Sequence, residues 1–422
     1  MKILWVSASA IGPASRILGQ PYLGSSGVWI QTIYEELKES ADVEMYFLCF
    51  SKKTPKRIIV HNKSEEGHAY CLNMPKISLG RKAPEYLKCN VEKVIRSVQP
   101  DIIQIWGTET CVQNIVANVA PEIPKVVFLQ GLIGIHDRYH NANLKKIGLS
   151  YHRSFHEYIR CSLHDHLFHR QVKYEAEEIV NCKNVIIDND FSAAYCKSLS
   201  GKIQTLFYPL NPAKVFQQYT WTLSNCEPHT VFTVYGASQD KGLHQLLRAI
   251  SIVKKSIPDI RVYIPGRFHI EEGSTHLSDD HLTSYEKLLS KIIKAGDIED
   301  NVFFCGQLSQ EQMAERLIKA NIFVNPSVME VHAGSLREAM LVGTPSISTY
   351  CGSIGEFVIE GKNGLLYRYE EYEVLAYKII ELLMNSSICN TISYNARNAI
   401  LQSQDIEDNS LYDIYLQIAE RK

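Results

Sequence analysis

The stretch Ile322–Thr349, IFVNPSVMEVHAGSLREAMLVGTPSIST, decides the fold because it contains a complete strand–helix–strand unit. The run Ile322–Asn325 predicts a buried strand that ends at Pro326. Gly334 opens a helical pattern that closes near Gly343, and glycine is the usual residue just past a helix. A further apolar run then predicts a second strand, parallel to the first, because the helix between them carries the chain back across the sheet.

The same alternation of short apolar strands and amphipathic helices extends over the rest of the chain. It pauses at 208–229, which contain three prolines and no clean period, so this segment is expected to be a linker. We therefore predict an α/β fold with two doubly wound Rossmann-like domains facing across a cleft. The first domain is expected at 1–207 and the second at 230–400, with a C-terminal helix at 401–422 that packs back on the first domain.

The composition narrows the class of protein. The 422 residues are 45% hydrophobic and 21% charged, with a formal net charge of −2, which argues against a general nucleic-acid binder. Residues 1–210 carry a net charge of +5 and residues 211–422 one of −7, so the two halves are expected to do different jobs. Eleven scattered cysteines without a Cys-x-x-Cys pair predict a reducing, cytoplasmic location. The apolar stretch at the start is too short for a signal peptide.

Two glycine-containing segments at predicted strand ends are candidates for phosphate binding. Gly27 precedes an amphipathic helix, whose first N–H groups and positive dipole end favour an anion. Gly236 ends a strand, and Lys241 opens the next helix, where its charge opposes the dipole unless an anion compensates it. A capped loop and a solvated lysine are the simpler alternatives.

Two glutamates in the fold-deciding stretch are candidate ligands of a nucleotide-sugar. Glu330 lies in the loop after the strand, at the carboxyl end that faces the cleft, and Glu338 lies one turn into the helix. The N–H groups at the helix start, of Ser335 and Leu336, are expected to hold a pyrophosphate. Glu338 could then bind the ribose hydroxyls, as the acidic residue of nucleotide-binding folds does.

Residues Asn325–Tyr367 resemble the donor-binding segment of the retaining family-4 glycosyltransferases of the GT-B fold, the glycosyl transferases group 1. That family has a P-S-x-x-E loop, an E-A-M-x-x-G-x-P helix end and a following glycine turn. This chain has Pro326–Glu330, Glu338–Pro345 and Gly352–Gly355 in the corresponding order. The motif match is specific over this segment and sparse before residue 230.

The resemblance implies transfer of a hexose from a nucleotide-sugar to an acceptor hydroxyl, with retention, in polysaccharide or glycan biosynthesis. Glu330 would contact the donor sugar, Glu338 the ribose, Lys241 the diphosphate, and backbone near Gly306–Leu308 the base. No metal and no cofactor are implied, because the nucleotide-sugar is a substrate and protein groups neutralise its diphosphate. The implied partners are a UDP- or GDP-sugar, a glycan or lipid-linked acceptor and, peripherally, the inner face of the cell membrane; nucleic acid is not among them.

The chain departs from the family pattern at two positions. Ala237 stands where the family usually has a phosphate-binding Arg, and Arg267 is the expected substitute. Gln130 stands at the end of a first-domain strand that the family often follows with a His, with His136 as the second choice. The predicted catalytic residues are thus Glu330, Lys241 and Gln130. The predicted donor-binding residues are Gly27, Gly236, Arg267, Leu308, Gly334, Ser335, Leu336 and Glu338.

Other readings of the sequence stay open. One is a nucleotide-sugar epimerase of similar fold, and another is a non-catalytic nucleotide-sugar-binding protein, which Ala237 and the altered loop Val331–Gly334 would suit. Asp188-Asn189-Asp190 has the form of a metal-nucleotide motif, but an N-cap formed by Asp190 explains it more simply.

Overall fold

The computed structural model describes residues 1–19, 28–40, 42–149, 155–233, 236–271, 274–278, 282–404 and 410–420. They form two compact units. The first consists of Met1–Arg138, Glu157–Pro209 and Glu407–Lys422, and the second of Tyr139–His156 and Leu210–Ile406. The chain therefore enters the second unit twice, whereas the sequence predicts one linker at 208–229. The extra segment joins the second unit through hydrophobic packing, because Leu144, 4% exposed, lies in the core of that unit.

The first unit is built on a sheet whose central strands are buried at every residue except Lys2, as in a sheet covered on both faces. Its strands are β1 (Lys2–Ser7), β2 (Glu44–Ser51), β3 (Val60–Ser64), β4 (Gly67–Asn73), β5 (Ile102–Trp106), β6 (Lys125–Phe128), β7 (Asn184–Ile187) and β8 (Gln204–Phe207). Its helices up to residue 209 are α1 (Pro13–Ile17), α2 (Val28–Ser40), α3 (Glu85–Val98), α4 (Cys111–Asn118), α5 (Ile133–His136), α6 (Phe155–Cys182) and α7 (Asp190–Leu199).

The second unit repeats this architecture with a smaller sheet. Its strands are β9 (Thr230–Thr233), β10 (Arg261–Pro265), β11 (Val302–Gly306), β12 (Ile322–Asn325), β13 (Ser346–Thr349) and β14 (Leu365–Tyr367). Its helices are α8 (Leu243–Val253), α9 (Ser284–Ala295), α10 (Gln310–Lys319), α11 (Gly334–Val342), α12 (Tyr372–Met384) and α13 (Ser386–Gln404). In the described part of the chain, no helix has both the length and the apolarity that crossing a bilayer requires.

Both sheets are doubly wound. The order is β3-β4-β2-β1-β5-β6-β7-β8 in the first and β11-β10-β9-β12-β13-β14 in the second. Neighbouring strands are parallel except for the β3–β4 hairpin, whose outer strand is fully exposed. The order reverses direction beside β1 in the first sheet and beside β9 in the second, which is where doubly wound proteins bind ligands. The predicted α/β fold of two Rossmann-like domains is confirmed.

A last helix, α14 (Leu411–Ala419), belongs to the first unit and completes its core. The buried Tyr415 hydroxyl donates to Oε1 of Gln104 on β5 over 2.5 Å. The hydroxyl oxygen of Tyr415 in turn accepts from the indole N–H of Trp5 on β1 over 2.9 Å. These two hydrogen bonds join the helix to the two central strands of the sheet, and each satisfies a polar group that has no access to water.

Replacing Tyr415→Phe should therefore destabilise the first unit. The loss of the hydroxyl leaves the Trp5 N–H buried without its acceptor, which costs about 1–3 kcal/mol of unfolding free energy. Urea unfolding followed by tryptophan fluorescence measures this loss. Tyr394→Phe is the matched control because Tyr394 is 71% exposed. Equal unfolding midpoints for the two variants would contradict the structural role of the hydroxyl.

Candidate active site

The candidate site of the second unit forms where β9 and β12 lie side by side. The two strands pair in parallel, with Phe323 beside Phe232 and Val324 beside Thr233. Parallel pairing brings both carboxyl ends to the same edge of the sheet. The segments that leave this edge therefore meet, one carrying Lys241 and the other Glu330.

The lysine lies on a short 3₁₀ turn, Gln239–Lys241, that packs against the loop after β12. The backbone N–H of Val328 donates to the carbonyl of Asp240 over 2.9 Å. Gly242 follows with φ +67°, and a Cβ placed there would lie 1.9 Å from the carbonyl oxygen of Pro326. Only glycine allows both this conformation and this close approach, so the Lys-Gly pair of the sequence has a packing reason as well as a chemical one.

Lys241 and Glu330 form an ion pair. The ammonium Nζ donates to Oε1 of Glu330 over 2.6 Å, with the lysine side chain 36% exposed and the glutamate 12% exposed. Burial acts to lower the pKa of Lys241, but the charge and the hydrogen bond of Glu330 outweigh it and leave the pKa raised. The lysine therefore stays a cation at the sheet edge, as an anion-binding group must.

A buried polar network fixes the backbone from which Glu330 projects. The Ser327 hydroxyl donates to Oδ1 of Asn325 over 2.8 Å, and the Thr349 hydroxyl donates to the carbonyl of Ser327 over 2.6 Å. On the other side, Gly352 has φ +51°, and a Cβ there would lie 1.7 Å from the carbonyl oxygen of Glu330. The Pro-Ser loop is thus held from β12, from β13 and from the glycine turn that follows β13.

The start of α11 presents open backbone donors next to this loop. Ala333, the N-cap, has a left-handed backbone with φ +48° and provides no side-chain cap. The sequence predicts that the N–H of Leu336 is open to a pyrophosphate. In the structure this N–H already donates to the Ala333 carbonyl over 3.0 Å. Among the described residues, the N–H groups of Gly334 and Ser335 have no protein acceptor, which leaves them for a ligand anion.

Glu338 lies one turn further along the same helix and is half-buried. Burial raises the pKa of its carboxyl group from 4.5 to about 7. No hydrogen bond or ion pair to Glu338 is found within the described ranges. A carboxyl group that is poorly solvated and unpaired gains from new donors, such as the hydroxyls of a ribose.

The remaining predicted donor residues fall at or near the same sheet edge, with different surroundings. Gly236 is buried, its N–H donates to the carbonyl of Pro265, and a Cβ there would lie 2.9 Å from Leu243, so packing explains this glycine. Arg267 is exposed just after β10, and Leu308 is half-buried two residues past β11. Gly27 lies outside the described residues.

In the first unit, Gln130 follows β6 in a turn whose next residues are held by a buried glutamate. Glu175, from α6, accepts the backbone N–H groups of Ile133 and Gly134 over 2.8 and 2.9 Å. It also accepts the hydroxyls of Thr108 and Tyr195 over 2.9 and 2.6 Å. Four donors on two oxygens use the full acceptor capacity of this side chain. The loop that carries Gln130 is therefore fixed by Glu175, which the sequence does not predict as a site residue.

The polar stripe to which Glu175 belongs lies on the inner face of α6. Gln171, Glu175 and Glu178 repeat at helical spacing, and each is fully buried. Burial and the charges of Glu109 and Glu175 raise the pKa of Glu178 well above its ordinary value. The spacing is visible in the sequence, but a polar helical stripe normally faces solvent, and nothing local shows the reversal.

The Asp188-Asn189-Asp190 segment is a helix start, but the capping residue is not the predicted one. Asn189 is the N-cap of α7, and its Oδ1 accepts from the N–H of Ser192 over 2.8 Å. The prediction of Asp190 as the cap is wrong because Asp190 is already the first helical residue. Over the described residues, no group of three or more His, Cys, Asp or Glu side chains is arranged to hold a metal ion.

Fold and site together define a class: a GT-B protein whose second Rossmann-like unit carries a cation, carboxylates and open helix donors at its switch point. Residues 222–399 match the family described as glycosyl transferases group 1. The predicted resemblance to the glycosyl transferases group 1 is thereby confirmed for this segment, which covers most of the second unit.

Similar proteins agree with this class. The chain is 24% identical over 189 residues to the capsular polysaccharide biosynthesis glycosyltransferase CapM of Staphylococcus aureus, covering 44% of this chain and 46% of CapM. It thus spans less than half the length of the curated relatives that it matches. Sucrose-phosphate synthase from Thermosynechococcus elongatus has the same fold, with TM-score 0.70, 17% identity and 100% and 98% of the two chains covered. The structure of Anabaena HepE in complex with UDP is also similar, with a TM-score of 0.64 and 17% identity. The similarity covers 100% of this chain and 99% of HepE.

The raised pKa of Glu338 predicts a pH-dependent stability. Its folded-state pKa of about 7 exceeds the ordinary value of 4.5, so the folded state favours the neutral carboxyl group. That contribution is complete below the ordinary value and is lost as the pH rises through 7. The unfolding free energy should fall between pH 5 and pH 8, and less so in Glu338→Gln, which stays neutral. Urea unfolding at both values measures this. Glu373→Gln, at an exposed helix position, should behave like the parent; a Glu338→Gln variant that loses as much as the parent would refute the assignment.

Proposed function

We propose that this protein is a retaining glycosyltransferase that moves a hexose from a nucleotide-sugar to an acceptor hydroxyl in polysaccharide or glycan biosynthesis. The observation that carries the proposal is the Lys241–Glu330 ion pair at the β9–β12 switch point, 2.6 Å between Nζ and Oε1. An ammonium group held at a strand end beside open helix donors is suited to a diphosphate. The family match of residues 222–399 and the relative named for capsular polysaccharide biosynthesis support the same reaction.

In this proposal the ion pair is the resting state of the site. A diphosphate that enters takes the Lys241 ammonium and the N–H groups of Gly334 and Ser335. Glu330 then loses its cation and turns to the hydroxyls of the donor sugar. The exchange replaces one charge-assisted hydrogen bond by another, so the lysine is charged and placed before the donor arrives. Such prepositioned charge is the main way that an enzyme stabilises a departing diphosphate.

The nucleoside end of the donor is assigned to α11 and the strands beside β9. Glu338 would accept the ribose hydroxyls, and the backbone around Gly306–Leu308 would hold the base. Arg267 would add a second cation to the phosphates. A UDP- or GDP-sugar is the proposed donor; the similar fold of HepE holds UDP. No cofactor and no metal enter the reaction.

The acceptor is assigned to the first unit, where Gln130 lies in the loop that Glu175 fixes. A glycan or lipid-linked hydroxyl would attack the anomeric carbon on the face from which the diphosphate leaves. The new carbon–oxygen bond forms as the carbon–phosphate oxygen bond breaks, and the acceptor proton passes to a diphosphate oxygen. Attack from that face keeps the anomeric configuration, which is the proposed retention.

The central test is removal of either ion-pair partner. Lys241→Ala and Glu330→Ala should each lower kcat/KM at least about 100-fold, because each removes charge or hydrogen bonding at the reacting diphosphate or sugar. Release of UDP or GDP from a panel of nucleotide-sugars with a glycan acceptor measures transfer. Lys254→Ala is the matched control, since Lys254 pairs with the 93% exposed Asp297 elsewhere in the unit. Near-parental turnover in both site variants would overturn the proposal.

The same assay separates the alternatives. An epimerase would convert the donor sugar with no acceptor present, and chromatography of the nucleotide-sugar shows this. A non-catalytic binder would bind the donor without turnover on any acceptor, and Glu330→Ala would change only its affinity. Transfer that requires both donor and acceptor, with a retained anomeric configuration by NMR, is the outcome that the proposal requires.

A cytoplasmic protein that meets lipid-linked acceptors should associate with anionic membranes. The exposed basic residues Lys52, Lys53, Lys56 and Arg57 would provide the contact, each adding about 1 kcal/mol of attraction near an anionic surface. We expect flotation with anionic liposomes at low salt and its loss when these four are changed to Ala. A variant with Ala at four other exposed lysines, Lys287, Lys291, Lys294 and Lys319, loses the same charge and is the control. No preference of the parent protein for anionic over neutral lipid would exclude this contact.

A further inference from the structure

A short segment interrupts the first unit in the sequence but belongs to the second unit in the structure. Residues 141–149, here called the strap, belong to the second unit. Leu144 is buried in the core of that unit, and Ile147 and Leu149 pack against the same core. The strap is therefore anchored by apolar contacts next to the sheet edge that carries the candidate site.

The strap begins with an unusual backbone. Asn141, Ala142 and Asn143 have φ values of +54°, +51° and +55°. Left-handed conformations cost a non-glycine residue about 1–2 kcal/mol, least for asparagine. Ala142 is fully buried in this conformation. Three such residues in a row persist only where surrounding contacts compensate for the strain, and strained residues of this kind cluster at functional sites.

The compensating contacts flank the turn that carries Lys241. At the start of the turn, Nε2 of Gln239 donates to Oδ1 of Asn141 over 2.8 Å. At its end, the ring of Tyr369 lies 3.2 Å from the position that a Cβ on Gly242 would occupy. The hydroxyl of that tyrosine donates to the carbonyl of Ala142 over 3.0 Å. The strap thus holds both sides of the 3₁₀ turn.

A buried histidine keeps the second of these bonds in one orientation. Nε2 of His244 lies 2.7 Å from the Tyr369 hydroxyl, and Nδ1 lies 3.0 Å from that of Tyr285. Burial lowers the pKa of His244 to about 3, so its ring carries a single proton. Because the Tyr369 proton points to Ala142, that histidine proton belongs on Nε2, and the Tyr285 hydroxyl donates to Nδ1. The chain of donors runs one way, from α9 to the strap.

We propose that Asn141 is a positioning residue for the donor diphosphate: through Gln239 it holds the turn in which Lys241 meets the phosphates. This inference rests on the proposed function, because it takes Lys241 as the diphosphate ligand. Asn141 itself touches no reacting atom. Its effect is to fix the turn before the ligand arrives, so that binding does not have to order it.

The test compares two neighbouring asparagines. Asn141→Ala removes the Oδ1 that accepts from Nε2 of Gln239. Asn143→Ala places the same alanine in the same left-handed backbone, at a position whose side chain makes no hydrogen bond among the described residues. Calorimetric dissociation constants for UDP and for GDP, with no turnover required, are the readout. For the nucleotide that binds, Asn141→Ala should weaken binding about five-fold, the size of one neutral hydrogen bond. Asn143→Ala and Asn141→Asp, which keeps an acceptor oxygen, should stay close to the parent.

A double-variant cycle separates positioning from general loss of structure. Gln239→Ala should weaken binding as much as Asn141→Ala, and the double variant should be no worse than either single one, because both remove the same bond. The inference is overturned if Asn141→Ala binds like the parent, if Asn143→Ala loses as much, or if the two effects add. Loss of binding in Lys241→Ala with full binding in Asn141→Ala would remove the inference and leave the proposed function standing. A parent protein that binds no nucleotide would remove both.

Discussion

The candidate site depends on the parallel pairing of β9 with β12. These strands are far apart in the sequence, and the helices that follow each of them leave the sheet in opposite senses of the winding. The pairing brings together the ends of two strands that are distant in the sequence. The segments that follow these strand ends carry Lys241 and Glu330, whose side chains form an ion pair of 2.6 Å. Each partner lowers the cost of holding the other at a partly dehydrated edge. The other contacts of the site fix the backbone of the Lys241 turn and of the Glu330 loop.

The loops of the site are held by buried polar groups, at positions where apolar side chains would cost less free energy to bury. Asn325, Ser327 and Thr349 lie beneath the Glu330 loop with at most 1% exposure. In the other unit, Glu175 lies beneath the loop that carries Gln130. A buried polar group is costly unless it is fully satisfied, and a satisfied network defines one geometry where an apolar core would tolerate several. The loops that carry Glu330 and Gln130 are both fixed in this way.

The sequence predicts best where chemistry and periodicity coincide in one short stretch. The strand, loop and helix of Ile322–Val342 are read correctly because apolar runs, Pro326 and Gly343 punctuate them. Glu175 could not be found, since its helix turns polar residues inward. The exposed strand β3 lacks the apolar pattern by which strands are recognised. The docking of the strap depends on contacts between residues about a hundred positions apart, such as Asn141 with Gln239, and local patterns do not encode them.

The interleaved path of the chain has a consequence for how the protein is made. The first unit receives α14, and Tyr415 completes a bond to Trp5 that spans 410 positions of the sequence. The second unit has all of its parts by residue 406. On the ribosome, where domains generally fold in the order of synthesis, the unit that begins first must therefore finish last. Until α14 emerges, the part of the two central strands that carries Trp5 and Gln104 lacks its covering helix, so the nascent first unit exposes buried surface until synthesis is nearly complete.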